Sequence, residues 1–276
     1  MNAAKISRCL KRMGRTAAVC SLALGFMLLP GTSGAEEQTA VAVHPRIEAL
    51  QPGEILTYDI TWSNIITAGT ATTEIKEGTL PDGKKVLMFI VTTHSAGLVD
   101  TFYRVDDRLQ SVFDPGIMQS LTFNLNENHG KRKRHRELVF DHVKNTVIST
   151  LNEDPPETFA IPDHTQDALS SLYYLRTRDD FIVGKPIIIQ VHDSGKNWSV
   201  EVHTLGRERV TTPAGTFATI KVRTFPKYEG VFMNKGEIFI WLTDDSRKVP
   251  VLMKSTIAIG SIVSTLTKRE TGKDIE

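Results

Sequence analysis

Apolar and polar residues alternate along most of the chain, which is the pattern of β-strands that bury one face. In EILTYDITW, residues 54–62, every second position is apolar: Leu56, Tyr58, Ile60 and Trp62. Similar short runs follow one another to the C-terminus, and turn-forming residues separate them. We count about fourteen strands, at the spacing that is typical of an all-β sandwich or barrel.

Three segments predict strands joined by identifiable turns. Residues 187–205 predict a hairpin that turns at residues 193–197. Residues 207–225 predict a second hairpin, whose turn is Pro213-Ala214-Gly215 and requires a positive φ at Gly215. Residues 101–115 predict two short strands around Asp106 and Asp107.

One segment, residues 165–180, has the periodicity of a helix instead. Its apolar residues recur at helical spacing: Ala168, Leu169, Leu172, Tyr173 and Leu175. Thr165 is the predicted N-cap of a helix over residues 167–176. A sheet of so many strands must curl, and we expect this helix to plug it. The predicted fold class is therefore mainly β: a single curled antiparallel sheet, a half-barrel or β-spiral, around one short helix.

Residues 1–35 have the three-part layout of a secretory signal peptide. Five basic residues precede an apolar run over residues 17–29, and Ser33-Gly34-Ala35 follows as a signal peptidase site. We expect cleavage after Ala35. The apolar run is shorter than the roughly 20 residues of a transmembrane helix, and most of it follows Cys20, which disfavours a lipidated Cys20. The sequence therefore predicts an exported protein of the periplasm or of an envelope surface.

The exported chain would consist of a flexible lead-in, residues 36–52, and a single β-rich domain, residues 53–270. Cys9 and Cys20 both lie in the signal peptide, so the mature chain has no cysteine for disulfides or zinc sites. The whole chain has 33 basic and 32 acidic residues; loss of the five basic residues leaves 28 against 32, a net charge of −4. An acidic exported protein is not expected to bind nucleic acid.

One basic tract, HGKRKRHRE at residues 129–137, interrupts this acidic chain. We predict a turn at residues 126–130, followed by a return strand that stands near an edge of the sheet. Alternation places Lys131, Lys133 and His135 on one face and Arg132, Arg134 and Arg136 on the other. Not all six can be buried, because an unpaired buried charge is too costly. Either the tract prevents edge-to-edge aggregation, or four residues bind an anionic surface such as lipid head groups: Lys131, Arg132, Lys133 and Arg134.

Four stretches in a fixed order resemble a known family: PGEILTYDITWSNIITAGTATTEI, DALSSLYYLR, ERVTTPAGTFATIKV and IFIWLTDDSRKVPVLM. Together they are similar to the bacterial family catalogued as domain of unknown function 3108, from about residue 53 to about residue 268. The resemblance implies an exported β-rich envelope protein, with a curled half-barrel like that of lipoprotein carriers. That family has no agreed activity or site residues, so the resemblance assigns no catalytic residue to this chain.

The sequence contains none of the common catalytic motifs: no His-Glu-x-x-His, Gly-x-Ser-x-Gly, Walker A loop or dinucleotide-binding glycine motif. His192 and His203 flank one predicted hairpin and could face each other, but a metal site needs a third ligand. His164 and Asp167 are three residues apart at the helix start, where the helix dipole alone favours a carboxylate. Pairs of aspartates fall at expected turns, and neighbouring residues of a strand point to opposite faces. We expect no cofactor and no metal.

A curled sheet of this size can keep a cavity for one small ligand. Five aromatic residues are the candidate ligand contacts: Trp62, Tyr103, Tyr173, Tyr174 and Trp241. The first hypothesis is a non-enzymatic periplasmic binding or carrier protein for an apolar or lipid-like molecule. The alternatives are an envelope structural or interaction protein with a filled core, and a hydrolase with an unrecognised site.

Overall fold

The computed structural model describes residues 46–102, 104–228, 231–232, 237–256 and 260–271, apart from the side chains of residues 98, 102, 228, 231 and 232. The predicted signal peptide and the candidate residue Tyr103 lie outside the described residues. The cleavage site and the domain bounds therefore stay predictions. Within the predicted lead-in, Ile47–Ala49 forms a 3-10 turn, and Ala49 and Leu50 are buried in the core.

The described residues form fifteen strands and two short α-helices. The first eight strands are β1 Ile55–Trp62, β2 Ile66–Thr79, β3 Lys85–Ser95, β4 Asp106–Asp114, β5 Gln119–His129, β6 Arg132–Asp141, β7 Thr146–Leu151 and β8 Glu157–Ala160. The others are β9 Ile187–Asp193, β10 Lys196–Thr212, β11 Gly215–Tyr228, β12 Val231–Phe232, β13 Ile238–Thr243, β14 Pro250–Thr256 and β15 Ser261–Glu270. The helices are α1 Gly97–Phe102 and α2 Ser170–Arg176.

All the named strands belong to one antiparallel sheet. Fourteen strands follow the order β8-β7-β6-β5-β4-β3-β2-β1-β15-β14-β13-β11-β10-β9, and β12 pairs with β11. The sheet thus consists of two meanders that meet where β1 pairs with β15. Its end strands, β8 and β9, are not paired with each other in the part of the chain that the structure describes. The predicted fold class, one open curled sheet around a short helix, is confirmed.

The two ends of the sheet meet through side chains instead of backbone hydrogen bonds. Asn197, at the start of β10, donates from Nδ2 to the carbonyl oxygen of Ala160, the last residue of β8, at 2.7 Å. The rings of Phe159 and His192 lie 5.3 Å apart between centroids. These contacts show that the sheet curls far enough to bring β8 against the β9–β10 hairpin.

Helix α2 plugs the curled sheet because its side chains pack on both meanders. Tyr173 stacks on Phe89 of β3, with ring centroids 3.8 Å apart and planes 7° apart. Leu175 lies in a second buried cluster, with Val222 and Ile240 of the other meander. The helix therefore joins the two halves of the core, as the sequence predicted.

The predicted cap of this helix is wrong. The Thr165 hydroxyl donates to the carbonyl oxygen of Pro162 and does not cap the helix. The Oδ1 atom of Asp167 accepts hydrogen bonds from the backbone N–H groups of Leu169 at 2.7 Å and Ser170 at 2.8 Å. Asp167 thus satisfies the free amides at the helix start, which is the function of an N-terminal cap.

Two other local predictions need correction. Residues 101–115 do not form two strands around the aspartates: Gly97–Phe102 is helix α1, and Asp106–Asp114 is the single strand β4. The predicted turn at residues 126–130 is also misplaced. Strand β5 continues to His129, and the turn lies at Gly130 and Lys131. Strand β6 is the third strand from the β8 end of the sheet. Strands β5 and β6 pair as far as His129 and Arg132, so only two residues remain for the turn.

We expect Leu175→Ala to lower the free energy of unfolding by about 2–5 kcal/mol, the usual cost of emptying a buried leucine site. Leu172, which the sequence placed against the sheet, is only partly buried, so Leu172→Ala should cost clearly less. Denaturant melts of the two variants measure the difference. An equal loss in both variants would contradict the packing of α2.

Gly215 has a φ of 134°, in the region that favours glycine, as the turn chemistry predicted. We expect Gly215→Val to cost about 1–3 kcal/mol of stability through backbone strain. Thr216→Val, at the next and exposed position, is the control and should change stability by less than about 0.5 kcal/mol. Thermal melts of the two variants measure the difference in stability. Equal losses would mean that the turn accepts a side chain at residue 215 without strain.

Candidate functional site

The side chains on the inner face of the first meander become less buried along the strands, away from helix α2. At the α2 end, Phe89, Phe113 and Phe123 are fully buried. The next inward-facing residues form a row across three strands, because Val91 pairs with Leu109 and Leu109 pairs with Leu125. These three residues, the aliphatic row, are only partly buried although they continue the same face. The inner face is therefore fully buried at the α2 end, whereas solvent reaches part of its surface at the aliphatic row, which we call the open part of the inner face.

A polar rim follows the aliphatic row on the same inner face. Thr93 pairs with Asp107, and Glu127 pairs with Arg134. Asp107 accepts a hydrogen bond from the His129 ring at 2.8 Å, and Arg134 lies 3.5 Å from Glu127. The inner face thus passes from buried aromatic residues through half-exposed aliphatic residues to polar residues. Such a gradient suits an apolar ligand whose polar end lies toward the solvent.

The second meander repeats the first part of this gradient. Val202, Val222 and Ile240 are buried around Leu175 of α2. Val200 and Ile238, two residues farther along β10 and β13 on the same faces, are only partly buried. Half-exposed aliphatic side chains therefore occur on the inner faces of both meanders.

Arg136 extends the aliphatic row onto β6, where it pairs with Leu125 and with Leu151 of β7. Its side chain is only 8% exposed. Its Nε and Nη1 atoms are buried and have no hydrogen-bond acceptor among the described residues, and the nearest carboxylate, that of Asp193, is 3.8 Å away. Burial lowers the pKa of Arg136. The cation is thus held in an apolar setting with unused donors.

His192 lies beside this cation from the other end of the sheet. It is completely buried, its Nδ1 atom is 2.7 Å from Oδ1 of Asn197, and its Nε2 atom has no partner among the described residues. Burial lowers the pKa of His192, and the charge of Arg136 lowers it further. The ring is therefore neutral near pH 7, where it adds hydrogen-bonding capacity but no charge.

A buried ion-pair network anchors helix α2 to the sheet. The guanidinium of Arg176 forms two hydrogen bonds with the Glu54 carboxylate, at 2.7 and 2.9 Å, and both side chains are 1% exposed. Arg247 binds the same carboxylate at 2.8 Å. Burial alone would lower the pKa of Arg176, but the charge and hydrogen bonds of Glu54 raise it overall. The two guanidinium groups and the one carboxylate need such pairing because they are largely buried, so the network is a structural element.

Sequence reasoning missed the network. Arg176 occupies the apolar face of the helix pattern, three residues after Tyr173 and four after Leu172, and a charge at such a position signals a buried partner. Glu54 and Arg247 carry no comparable signal, because the partners are 122 and 193 residues away in sequence.

The predicted aromatic contacts do not come together at one site. Tyr173 is in the core on Phe89, and burial raises its pKa to about 12. Tyr174 is partly buried in the second cluster, where its hydroxyl accepts a hydrogen bond from Arg178. Trp241 points away from the face of its neighbours Ile240 and Leu242, and its indole N–H donates to Glu208. Trp62 ends β1 at the rim end of the sheet.

The basic tract lies at the tip of the β5–β6 hairpin. Lys131, Arg132 and Lys133 are exposed, whereas Arg134 is half-buried and paired with Glu127. Pairing with β7 begins at Arg136, so residues 132–134 extend past that strand. The tip is at the rim end of the inner face, beyond Arg134. Its alternation is as predicted, but Arg136 is buried and does not belong to the exposed tip.

The predicted histidine pair is wrong, since His192 pairs with Asn197 and His203 pairs with Arg223. His203 instead lies 2.9 Å from Glu201 on its own strand. Among the described residues, no group of three or more histidines, cysteines or acidic residues is placed to hold a metal ion. The described residues also contain no helix that is long and apolar enough to cross a membrane.

The fold is similar to that of a solved protein from Brucella abortus, a β-barrel-like protein of domain of unknown function DUF1849, with a TM-score of 0.56 and 11% identity. The match covers 83% of this chain and 99% of that chain. A protein with a YmcC-like fold from Bacteroides fragilis matches over 83% of this chain and 99% of its own, with 13% identity and a TM-score of 0.36. The second likeness is too weak to support an argument, and the first shows the fold alone.

No curated protein matches the chain. The model of the family described as "Protein of unknown function (DUF3108)" matches residues 57–267. This range contains three of the four stretches that carry the sequence resemblance and most of the fourth. The chain therefore belongs to the DUF3108 family.

Proposed function

We propose that this protein is an exported, non-enzymatic binding or carrier protein, and that it holds an apolar or lipid-like molecule against the open part of its inner face. The observation that carries the proposal is the half-exposed aliphatic row, Val91, Leu109 and Leu125, beside the fully buried phenylalanines. An acyl chain would cover side chains that the protein leaves partly in water. Each buried CH₂ group would contribute about 0.8 kcal/mol.

Export rests on the sequence of residues 1–35, whose layout is that of a signal peptide. The periplasm is the compartment that such a signal favours, and cleavage after Ala35 is part of the proposal. The main alternative, a structural protein with a filled core, explains the packed α2 end of the sheet. It does not explain why the aliphatic row stays half-exposed.

Binding of N-phenyl-1-naphthylamine, an uncharged apolar fluorescent probe, tests the proposal. We expect Leu109→Trp to weaken probe binding by at least about tenfold, because the larger side chain occupies the open space. Gln110→Trp is the matched control, since Gln110 is the next residue of β4 and faces the opposite side. The proposal fails if the wild-type protein does not bind the probe, or if both variants bind it equally and retain the wild-type melting temperature.

We propose a second role for the exposed hairpin tip: attraction of the protein to an anionic membrane surface. Lys131, Arg132 and Lys133 stand together at the rim end of the inner face, so a membrane that binds the tip would face the open part of the sheet. Each basic residue near an anionic surface contributes about 1 kcal/mol.

We expect the wild-type protein to sediment with phosphatidylglycerol vesicles at low salt and to be released by salt. Changing Lys131, Arg132 and Lys133 together to Gln should weaken this binding by about 100-fold. Changing the exposed Lys76, Lys144 and Lys268 to Gln removes the same charge elsewhere and should have little effect. If the tip only blocks aggregation, the wild type will not bind the vesicles and the first variant will aggregate.

A further inference from the structure

Arg136 is a buried cation with two guanidinium nitrogens that no described residue satisfies. Of its guanidinium, Nε and Nη1 are buried without an acceptor among the described residues. Asp193 is at 3.8 Å, beyond hydrogen-bond distance, and its carboxylate is 44% exposed. Buried polar groups are almost always hydrogen-bonded, so unsatisfied donors on a buried charge point to a group that joins them from outside the chain.

The position of Arg136 relates it to the proposed site. It continues the aliphatic row, directly across the strand pair from Leu125. A molecule that lies along Val91, Leu109 and Leu125 would therefore have one end beside the guanidinium. The neutral His192, whose Nε2 atom is also buried without a described partner, lies close enough for the charge of Arg136 to lower its pKa.

We propose that Arg136 binds the anionic head group of the ligand, so that the ligand is an amphiphile with an acyl or alkyl chain on the aliphatic row and a carboxylate or phosphate on Arg136. The proposal rests on the proposed function and specifies its ligand class. Arginine suits this task because its planar fork binds carboxylates and phosphates through two parallel hydrogen bonds. In a site of low polarity such a charge-assisted pair is stronger than in water.

Arg134 and Arg136 of β6 differ in the carboxylates that lie beside them. Arg134 points to the same inner face two residues away, but its guanidinium already lies 3.5 Å from Glu127. A carboxylate of the protein thus balances the charge of Arg134, whereas the nearest carboxylate to Arg136, that of Asp193, is 3.8 Å away. Arg134 is therefore the matched control for a test of Arg136.

The test compares three C12 compounds as competitors of N-phenyl-1-naphthylamine: laurate, monododecyl phosphate and 1-dodecanol. We expect at least one of the two anions to bind about 10- to 100-fold more tightly than the uncharged alcohol, the range for a hydrogen bond to a charged group. Arg136→Gln should abolish this preference, so that the anions bind no more tightly than dodecanol does. Arg134→Gln should keep the preference. The comparison of laurate with monododecyl phosphate shows whether the site prefers a carboxylate or a phosphate.

The outcomes separate this inference from the proposed function. If dodecanol binds as tightly as both anions, the head-group assignment fails and the apolar site stands; if none of the three binds, the proposed function fails too. If Arg136→Gln only lowers the melting temperature and keeps the preference, Arg136 is a structural partner of Asp193 and the inference is overturned. Should the variant not fold, the Nε–Hε resonance of Arg136 in the wild-type protein decides. It should shift on addition of the preferred anion, and an unchanged resonance overturns the inference.

Discussion

Glu54→Gln should destabilise the protein by about 3–5 kcal/mol, the cost of leaving one buried charge without its partner. The change keeps the size of the side chain and removes the charge that Arg176 and Arg247 share. Because Arg176 is 1% exposed, water cannot replace the lost carboxylate oxygen. A loss of this size is a large part of the stability of a typical domain, and denaturant melts would measure it.

The exposed pair of Arg46 and Asp179 supplies the control, since its side chains are 56% and 42% exposed at a distance of 3.0 Å. Asp179→Asn should change stability by less than about 1 kcal/mol. Adding Arg176→Met to Glu54→Gln should recover part of the loss, because the second change removes the orphaned charge. Similar small effects of Glu54→Gln and Asp179→Asn would show that the buried network does not hold α2.

Asp167→Ala should cost at least about 3 kcal/mol, because it leaves several buried donors without an acceptor. The Asp167 carboxylate is completely buried and accepts four hydrogen bonds. Its Oδ2 atom accepts from the hydroxyls of Ser111 at 2.6 Å and Ser120 at 2.5 Å, and its Oδ1 atom accepts from the two backbone amides at the start of α2. The residue thus ties the helix to β4 and β5.

Asp167→Asn should instead remove a pH dependence of the protein's stability. Burial raises the pKa of Asp167 despite these hydrogen bonds. The folded protein therefore holds the proton of Asp167 more tightly than the unfolded chain does. Protonated Asp167 makes its full contribution to the free energy of unfolding below the ordinary pKa of about 3.9. This contribution is lost as pH rises through the raised pKa of the folded protein. Asparagine stays neutral and can still accept the two amides while it donates to the serine hydroxyls.

Stability measured against pH in the wild type and the Asn variant tests this account. The wild type should lose stability relative to the variant as pH rises above about 4, and at pH 7 the variant should be at least as stable. If the wild type gains stability relative to the variant over this range, the folded-state pKa is depressed and the account is wrong.

The strands could be predicted because one buried face imposes a period of two, which a single sequence shows directly. Leu56, Tyr58 and Leu266 are buried as the alternation requires. The six-residue helix α1 could not be predicted, because it is too short to show a helical period. The cap at Thr165 was wrongly predicted because Thr and Asp are both good caps. The two serines that hold Asp167 in place come from strands that are distant in sequence.

The candidate site was only partly predictable. Alternation correctly put Arg134 and Arg136 on one face of β6. It could not show that Arg136 lies among apolar residues while Arg134 has Glu127, since this depends on the pairing with β5 and on the approach of the β9–β10 hairpin. The aromatic residues were chosen for their size, and most of that size is used in the core, as for Tyr173. The half-exposed aliphatic row is visible only once the inner face is assembled.

Photo-crosslinking with dodecanol that carries a terminal diazirine tests the central claim most directly, because it shows where an apolar chain lies. The account predicts that mass spectrometry finds adducts on the inner face, at Val91, Leu109 or Leu125, and that 1-dodecanol competes them away. Val139 and Ile148 are the internal reference, since they are exposed and paired on neighbouring strands and face outward. Adducts confined to Val139 and Ile148, or the same labelling with excess dodecanol, would contradict the claim that the open inner face is a binding site.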